Sequence, residues 1–319
     1  MNLQCSKQSI ILNVMEGKME TGIYEKVVTD EYTSQICRKI AGTGEETNVF
    51  QICEQYGTEP DEFRAYDAYK IYSSKETRII KKVGLREYHN YITYLNGNNF
   101  NVPKLLGNYT DGEDFWIMLE NVEGNDLRDM TDQLACAAAD SISKIQNQYW
   151  GCEDTDRFDV YIERIQRRYQ FIKGHPQIAS AYELFMERQK TCPRTLCNGD
   201  FLQFNTIDHD GKVYIIDWGF GGIMPYTLDL ARFIAHATED RATFPFFMKE
   251  QQKEMFLNRV YENLNHKPDY RQFRWDVQLA LLNEYVEFVE ADEDEDGWYL
   301  QHAIDLSGLI LSQNNERLL

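Results

Sequence analysis

The first third of the chain carries apolar residues at alternate positions, the pattern of a half-buried β-strand. This pattern predicts strands at residues 33–42, 48–57, 63–72 and 77–83. Two more strands are predicted on either side of the Asp111-Gly112 turn, the second of them the apolar run 115–119. Residues 85–97 instead place apolar side chains at helical spacing and end at Gly97, which predicts a helix. The chain is therefore expected to begin with a sheet and one helix.

Beyond residue 124 the apolar residues recur every three or four positions, as on the buried face of a helix. Helices are predicted at residues 133–149, 158–173, 179–190, 249–264, 270–291 and 298–311. Strands grouped before helices indicate an α+β chain. We expect an antiparallel-sheet lobe at residues 1–120 and a mostly helical lobe at residues 121–319. The polar, glycine-terminated segment 120–124 is the expected hinge.

A predicted hairpin brings three polar residues, Asp200, Asn205 and Asp217, into one neighbourhood. Asp200 and Asn205 lie in one loop, and Asp-Gly at residues 210–211 supplies the turn that follows. The β-branched run 213–216 is expected to be a buried strand, and it ends at Asp217. Each aspartate alone would be explained by its frequency in turns, but the combination with Asn205 favours a functional site.

Two carboxylates and an amide oxygen form an all-oxygen set of the kind that magnesium prefers, usually with several waters and substrate phosphates. A carboxylate that is not on the metal can accept a proton from an attacking hydroxyl. The spacing Asp-x4-Asn, followed by a strand that ends in Asp, matches the phosphoryl-transfer pattern. In that pattern Asp200 orients the nucleophile, and Asn205 and Asp217 hold the metal.

These segments, with the helix start after them, resemble the aminoglycoside phosphotransferase and choline kinase superfamily. The resemblance extends over roughly residues 33–235 and implies a two-lobed, protein-kinase-like fold that uses Mg2+ and ATP or GTP. The family's usual His lies two residues before the base, where this chain has Asn198, which is expected to support the loop by hydrogen bonding. Asp229 is expected to brace the same loop. The segments that carry the resemblance are NGDFLQFN, IIDWGFGG and PYTLDLARF.

A lysine on the strand at residues 77–83 is expected to contact the nucleotide phosphates. Lys81 and Lys82 point to opposite faces of that strand. We favour Lys81 because it shares a face with apolar Ile79, and Lys82 is the alternative. Glu87, in the first turn of the next helix, is expected to pair with the lysine, although acidic residues also favour helix N-termini in general.

Two more segments are candidate nucleotide contacts. Gly42 and Gly44 lie between two predicted strands, and a glycine-rich loop in that setting lets backbone approach phosphates. A plain hairpin with two turn glycines would give the same pattern. At the hinge, Glu120 to Val122 would bind an adenine ring through main-chain groups.

The composition limits the function class. A formal net charge of −19 argues against nucleic-acid binding, which needs clustered Lys and Arg, and would favour a cationic substrate. Seven scattered cysteines without a CxxC pair fit a reducing cytoplasm. We expect no signal peptide, no membrane span and no obligate protein partner. The acidic run 290–296 is expected to be a solvated loop or a contact for substrate ammonium groups.

The sequence thus predicts a small-molecule kinase whose acceptor is an aminoglycoside or a similar hydroxylated amine. Alternative acceptors are choline, ethanolamine, homoserine or a sugar-like metabolite. An alternative of another class is a non-catalytic nucleotide-binding regulatory protein on a kinase scaffold. Asn198 favours that alternative, whereas the presence of Asp200, Asn205 and Asp217 together argues against it.

Overall fold

The computed structural model describes residues 22–55, 63–73, 76–237, 246–291 and 296–317. Two compact units are present, Met1–Lys81 and Lys82–Leu319. This division falls inside a strand of the sheet, whereas the sequence predicted a lobe boundary near residue 120. That lobe boundary therefore stays a prediction. Residues 292–295, from the acidic run, lie outside the described residues.

The first unit contains an antiparallel sheet with one helix. Its elements are β1 Gly22–Val27, α1 Glu31–Ala41, β2 Val49–Gln55, β3 Phe63–Tyr72 and β4 Thr77–Val83, whose last two residues belong to the second unit. β1 pairs with β2, β2 with β3, and β3 with β4, all antiparallel. The predicted strands over β2, β3 and β4 are confirmed.

The predicted strand at residues 33–42 is wrong, because this segment is helix α1. The Asp30 side chain caps its start by accepting a hydrogen bond from the Thr33 N–H at 2.7 Å. Gly42 ends the helix in the left-handed conformation, with φ of 64°. The buried residues Ser34, Cys37 and Ala41 lie on one helical face. Capping and burial together outweighed the strand preference of the β-branched residues.

The second unit starts with α2 Leu85–Asn90, which runs into a π-helical turn at Tyr91–Leu95, and then forms the hairpin β5 Leu105–Asp111 and β6 Asp114–Glu120. The predicted helix and hairpin are confirmed. The full sheet is six-stranded, in the order β1-β2-β3-β4-β6-β5. The expected α+β class is correct: strands form the N-terminal sheet, and helices form most of the remainder.

The helical part contains α3 Asp132–Tyr149, α4 Asp156–Ile172 and α5 Pro176–Gln189, each within three residues of its prediction. After them come β7 Arg194–Cys197, β8 Thr206–His209, β9 Lys212–Ile215 and β10 Gly222–Pro225, which form two small antiparallel ladders, β7 with β10 and β8 with β9. The last elements are α6 Thr227–Ala235, α7 Glu250–Asn263, α8 Tyr270–Glu290 and α9 Trp298–Arg317.

The helical core lies where α4, α5, α8 and α9 meet. Its fully buried side chains include Ile165, Tyr182, Phe185, Leu279 and Ile310. Burying such side chains contributes roughly 1.5–3 kcal/mol each, which fixes the helices that flank the loop after β7. None of the described helices combines the length and apolarity that crossing a bilayer requires.

Candidate active site

The loop that carries Asp200 is held against the segment after β9 by a close backbone approach. Gly199 has φ of 80°, a conformation that favours glycine. A Cβ atom at this position would lie 2.3 Å from the Phe220 carbonyl oxygen. Any larger residue would push the two segments apart, so the glycine is needed to place Asp200 beside the 217–220 segment.

Both carboxylate oxygens of Asp200 have partners. Arg232 of α6 donates to Oδ1 from Nε at 3.1 Å and from Nη2 at 2.8 Å. The Asn205 Nδ2 donates to Oδ2 at 2.9 Å and to the Asp200 carbonyl oxygen at 2.8 Å. Charge-assisted hydrogen bonds of this kind fix the orientation of the carboxylate.

Asn198 connects this loop to Asp217. Its Nδ2 donates to the carbonyl oxygens of Ile216 at 3.1 Å and Asp217 at 3.0 Å, and its Oδ1 accepts from the Asp200 N–H at 3.1 Å. The Ile216 N–H in turn donates to the Asn205 carbonyl oxygen at 2.9 Å. The structure therefore brings the three predicted polar residues into one neighbourhood, and it gives buried Asn198 the supporting role expected of it.

The oxygen ligands near Asp217 suit a magnesium ion that keeps several bound waters and is also coordinated by substrate phosphates. The Asn205 side chain uses Nδ2 for its hydrogen bonds, and its Oδ1 has no hydrogen-bond donor among the described residues. No described group of three or more His, Cys, Asp or Glu side chains is arranged to hold a metal. One carboxylate and one amide oxygen are few ligands for most metals, but they match the usual magnesium arrangement with substrate phosphates.

Asp229, in the first turn of α6, braces the loop from below. Its carboxylate accepts from the Asn198 N–H at 2.7 Å and from the Gly199 N–H at 2.9 Å, and its side chain is fully buried. Burial raises the pKa of Asp229 to about 7, against the lowering effect of these two hydrogen bonds. The bracing contact expected from the sequence is thus present.

The raised pKa of Asp229 predicts that the contribution of this residue to stability falls as pH rises from about 4 to about 7. In this window the folded state keeps a proton that the unfolded state, with an ordinary pKa of 3.8, has lost. The expected slope is up to about 1.4 kcal/mol per pH unit. Urea unfolding at several pH values across this range should show that the free energy of unfolding of Asp229→Asn decreases less steeply with pH than that of the wild type. Equal slopes in the two proteins would contradict the raised pKa.

Lys81 lies on β4 opposite Ala68, while Glu87 belongs to the second unit, where its side chain is buried. A Cβ atom on Gly219 would lie 3.6 Å from the Asp217 Oδ1 and 3.9 Å from the Glu87 Oε2, so both carboxylates face this glycine. Lys82, the alternative to Lys81, pairs with Asp114 at 2.8 Å. The Lys81–Glu87 pair and its phosphate contact stay predictions.

The setting of the glycine-rich loop differs from the prediction. Gly42 and Gly44 lie between helix α1 and β2, not between two strands, so the hairpin argument for a phosphate-covering loop loses its basis. A hairpin of that kind joins β2 and β3, and its connection, residues 56–62, lies outside the described residues. At the predicted hinge, the Glu120 side chain accepts from the Lys104 N–H, and Val122 makes no hydrogen bond within the described residues.

The charged residues of a cavity beside Asp200 were not predicted from the sequence. The cavity has a volume of about 220 Å³. The sequence indicates this cavity only on α4, where Arg157, Arg164 and Arg168 follow one another at spacings of seven and four residues and so share a helical face. The partners on α6 and α8 have no sequence signal. The charged residues that line the cavity with Asp200 are Arg157, Arg164, Arg168, Arg232, Glu284 and Glu287.

Comparisons with known proteins place this geometry in context. The model of a family described as the phosphotransferase enzyme family matches residues 72–273. No curated protein matches the chain. The structure resembles the crystal structure of an aminoglycoside-3'-phosphotransferase of type VIII, with a TM-score of 0.52 and 15% identity over 80% of this chain and 99% of that one.

Two other solved structures are similar. One is an ethanolamine kinase of Plasmodium vivax, with a TM-score of 0.52 and 11% identity over 91% of this chain and 81% of that one. The other is a thermostable mutant of aminoglycoside phosphotransferase APH(4)-Ia in a ternary complex with AMP-PNP and hygromycin B, with a TM-score of 0.52 and 14% identity over 87% of this chain and 98% of that one.

Likeness at this identity shows the fold alone, and it confirms the predicted two-lobed, kinase-like class. The family match is independent of that likeness and covers more than half of the chain, including the whole of the Asp200 loop, Asp217 and α6. The chain belongs to the phosphotransferase enzyme family.

Proposed function

We propose that this protein transfers the γ-phosphoryl group of a nucleoside triphosphate, ATP or GTP, to a hydroxyl of a small molecule held in the cavity beside Asp200. The observation that carries this proposal is the hydrogen-bonded loop at the cavity that Asp200 lines, in which Asn205 contacts Asp200 and Asn198 joins Asp200 to Asp217. It combines a fixed carboxylate for the acceptor with oxygen ligands for a metal.

In this mechanism Asp200 accepts the proton of the acceptor hydroxyl and orients its oxygen for attack. Arg232 and Asn205 hold the carboxylate in one rotamer, so catalysis comes mainly from positioning. Asn205 and Asp217 would hold magnesium, which neutralises charge on the terminal phosphates when bound. Lys81, aligned by Glu87, would bind the phosphates, and the open main-chain groups near Val122 would bind the base.

The acceptor is the less defined part. Judged by net charge alone, the acceptor would be an aminoglycoside or similar hydroxylated amine, which would make the protein a cytoplasmic antibiotic-resistance enzyme. Choline, ethanolamine, homoserine and sugar-like metabolites are alternatives. A non-catalytic regulatory protein would need a defect in the catalytic group, yet Asn198 makes the loop contacts and the three polar residues are all present.

The test is magnesium-dependent release of ADP or GDP in the presence of a panel of hydroxylated acceptors. The panel should contain aminoglycosides, choline, ethanolamine, homoserine and sugars. Stimulation by one acceptor supports the kinase and names its acceptor class. If the protein binds no magnesium nucleotide at all, the proposed function is wrong. If it binds nucleotide but no acceptor in a broad panel stimulates release, the regulatory alternative is favoured.

A further inference from the structure

The cavity beside Asp200 is rich in arginine although the whole chain is strongly acidic. Four arginines and three carboxylates line it, and a polycationic acceptor would meet four positive charges there. The charged side chains that line the cavity therefore sum to a positive charge, opposite in sign to the net charge of −19 of the whole chain. Because Coulomb interactions at contact distance exceed those from a distant surface, the local charges decide which acceptor the cavity favours.

Both glutamates of the cavity are already paired with arginines. Glu284 of α8, 2% exposed, pairs with Arg232 at 3.0 Å. Glu287 forms ion pairs with Arg168 and, at 3.4 Å, with Arg164. An ammonium group that took Glu284 would have to displace Arg232, whose side chain is 16% exposed, and breaking this buried ion pair is costly.

Arg157, in the first turn of α4, differs from the other three arginines. Its Nε donates to the Phe220 carbonyl oxygen at 3.2 Å, and the described residues offer its guanidinium group no carboxylate partner. Burial and the charges of Arg86 and Arg164 lower the pKa of Arg157 to about 10, against the raising effect of Glu287. Glu287 already forms ion pairs with Arg164 and Arg168, so the carboxylate that offsets the charge of Arg157 is shared with two other arginines.

The position of Arg157 is built into the fold. Gly222, with φ of 154°, lets the arginine stem cross the start of β10, because a Cβ atom there would lie 2.6 Å from the Arg157 Cβ and 2.8 Å from its Cγ. The same Phe220 carbonyl oxygen that anchors Nε lies against Gly199, next to Asp200. With Nε engaged, the two terminal nitrogens remain as a paired donor edge, the geometry that a carboxylate or phosphate matches.

We propose that the acceptor carries an anionic group, a carboxylate or a phosphate, which the terminal nitrogens of Arg157 bind while its hydroxyl lies at Asp200. This assignment rests on the proposed function for the role of Asp200, but the anion site itself does not. It makes the natural acceptor a hydroxy acid, a hydroxylated amino acid or a phosphorylated polyol, and not a polyamine.

The experiment is calorimetric titration of the full chain, with magnesium and AMP-PNP present, using matched pairs of probes. Glycerate is compared with glycerol, gluconate with sorbitol, and homoserine with 3-aminopropan-1-ol, while glycerol 3-phosphate distinguishes phosphate from carboxylate and kanamycin represents the polycations. We expect an anionic member to bind more tightly than its partner. Arg157→Gln should weaken that binding roughly 10- to 100-fold and leave the neutral probes unchanged.

Two variants serve as controls. Arg271→Gln makes the same charge change at an exposed arginine with no side-chain partner among the described residues, and it should leave every affinity unchanged. Arg157→Lys keeps the charge but not the paired donors, and it should restore part of the affinity. Equal thermal midpoints for these proteins would show that folding is not the cause of a difference.

The inference is wrong if no anionic probe binds more tightly than its partner, if kanamycin is preferred, or if Arg157→Gln leaves the anion affinity unchanged. Binding and turnover separate the two proposals. Anion binding that depends on Arg157, without any phosphoryl transfer, supports the anion site and argues against the kinase activity. Turnover of a neutral or cationic acceptor in preference to every anionic probe, unaffected in Arg157→Gln, supports the kinase activity and excludes the anion site.

Discussion

Asp200→Asn is expected to lower kcat by about 10²- to 10⁴-fold, the range for loss of a positioned general base. The amide has nearly the same size as the carboxylate but cannot accept a proton from the acceptor hydroxyl. It also turns an N–H toward Asn205 or Arg232, which now donate to both carboxylate oxygens. Nucleotide binding should change little, because the proposed metal ligands are Asn205 and Asp217.

The measurement is steady-state turnover with the best acceptor, together with the magnesium-dependent Kd for AMP-PNP. Asp217→Asn should give the opposite pattern, a raised Kd for magnesium-bound nucleotide, because it removes the negative charge of a proposed metal ligand. Asp210→Asn is the matched control: it makes the same charge change at an exposed turn residue of the neighbouring hairpin and should behave as wild type. Wild-type turnover in Asp200→Asn would exclude Asp200 as the base.

The sequence was sufficient where the pattern was local. Asp200, Asn205 and Asp217 could be placed together because an Asp-Gly turn and a β-branched strand define a short hairpin, which the structure shows as β8 and β9. Asn198 was identified by its position in the motif. The failure at residues 33–42 was also local, since the Asp30 cap and Gly42 indicated a helix that the β-branched content concealed.

The cavity was not predictable because its contacts join residues that are far apart in the chain. The Arg232–Glu284 contact spans 52 residues, and the Arg157–Phe220 contact spans 63. Only the packing of α4, α6 and α8 around the loop after β7 brings them together. Net charge is a weak guide to the acceptor for the same reason, because a sum over the whole chain contains no information about which charges line the cavity.

Arg232→Gln is expected to lower the free energy of unfolding by about 3–5 kcal/mol, as for other buried ion pairs that lose one partner. The Glu284 carboxylate is 2% exposed and would be left without its guanidinium partner. Although burial opposes it, Arg232 now holds the pKa of Glu284 below its ordinary value. With His236 at 3.5 Å as its remaining ion-pair partner among the described residues, the glutamate would take up a proton or water, and either response costs stability.

The matched control is Arg259→Gln, which breaks the Arg259–Asp140 pair at 2.7 Å on the surface, where both side chains are more than 40% exposed. That change should cost at most about 1 kcal/mol, because water already solvates both charges. Urea unfolding at pH 7 measures both effects. If unpaired charge is the cause, Glu284→Gln added to Arg232→Gln should recover part of the loss, whereas additive losses would show that the two residues act independently.

The Arg232 variant should also lower kcat, since Asp200 would lose the donor that fixes its Oδ1. The same guanidinium thus links the stability of α8 to the orientation of the proposed base.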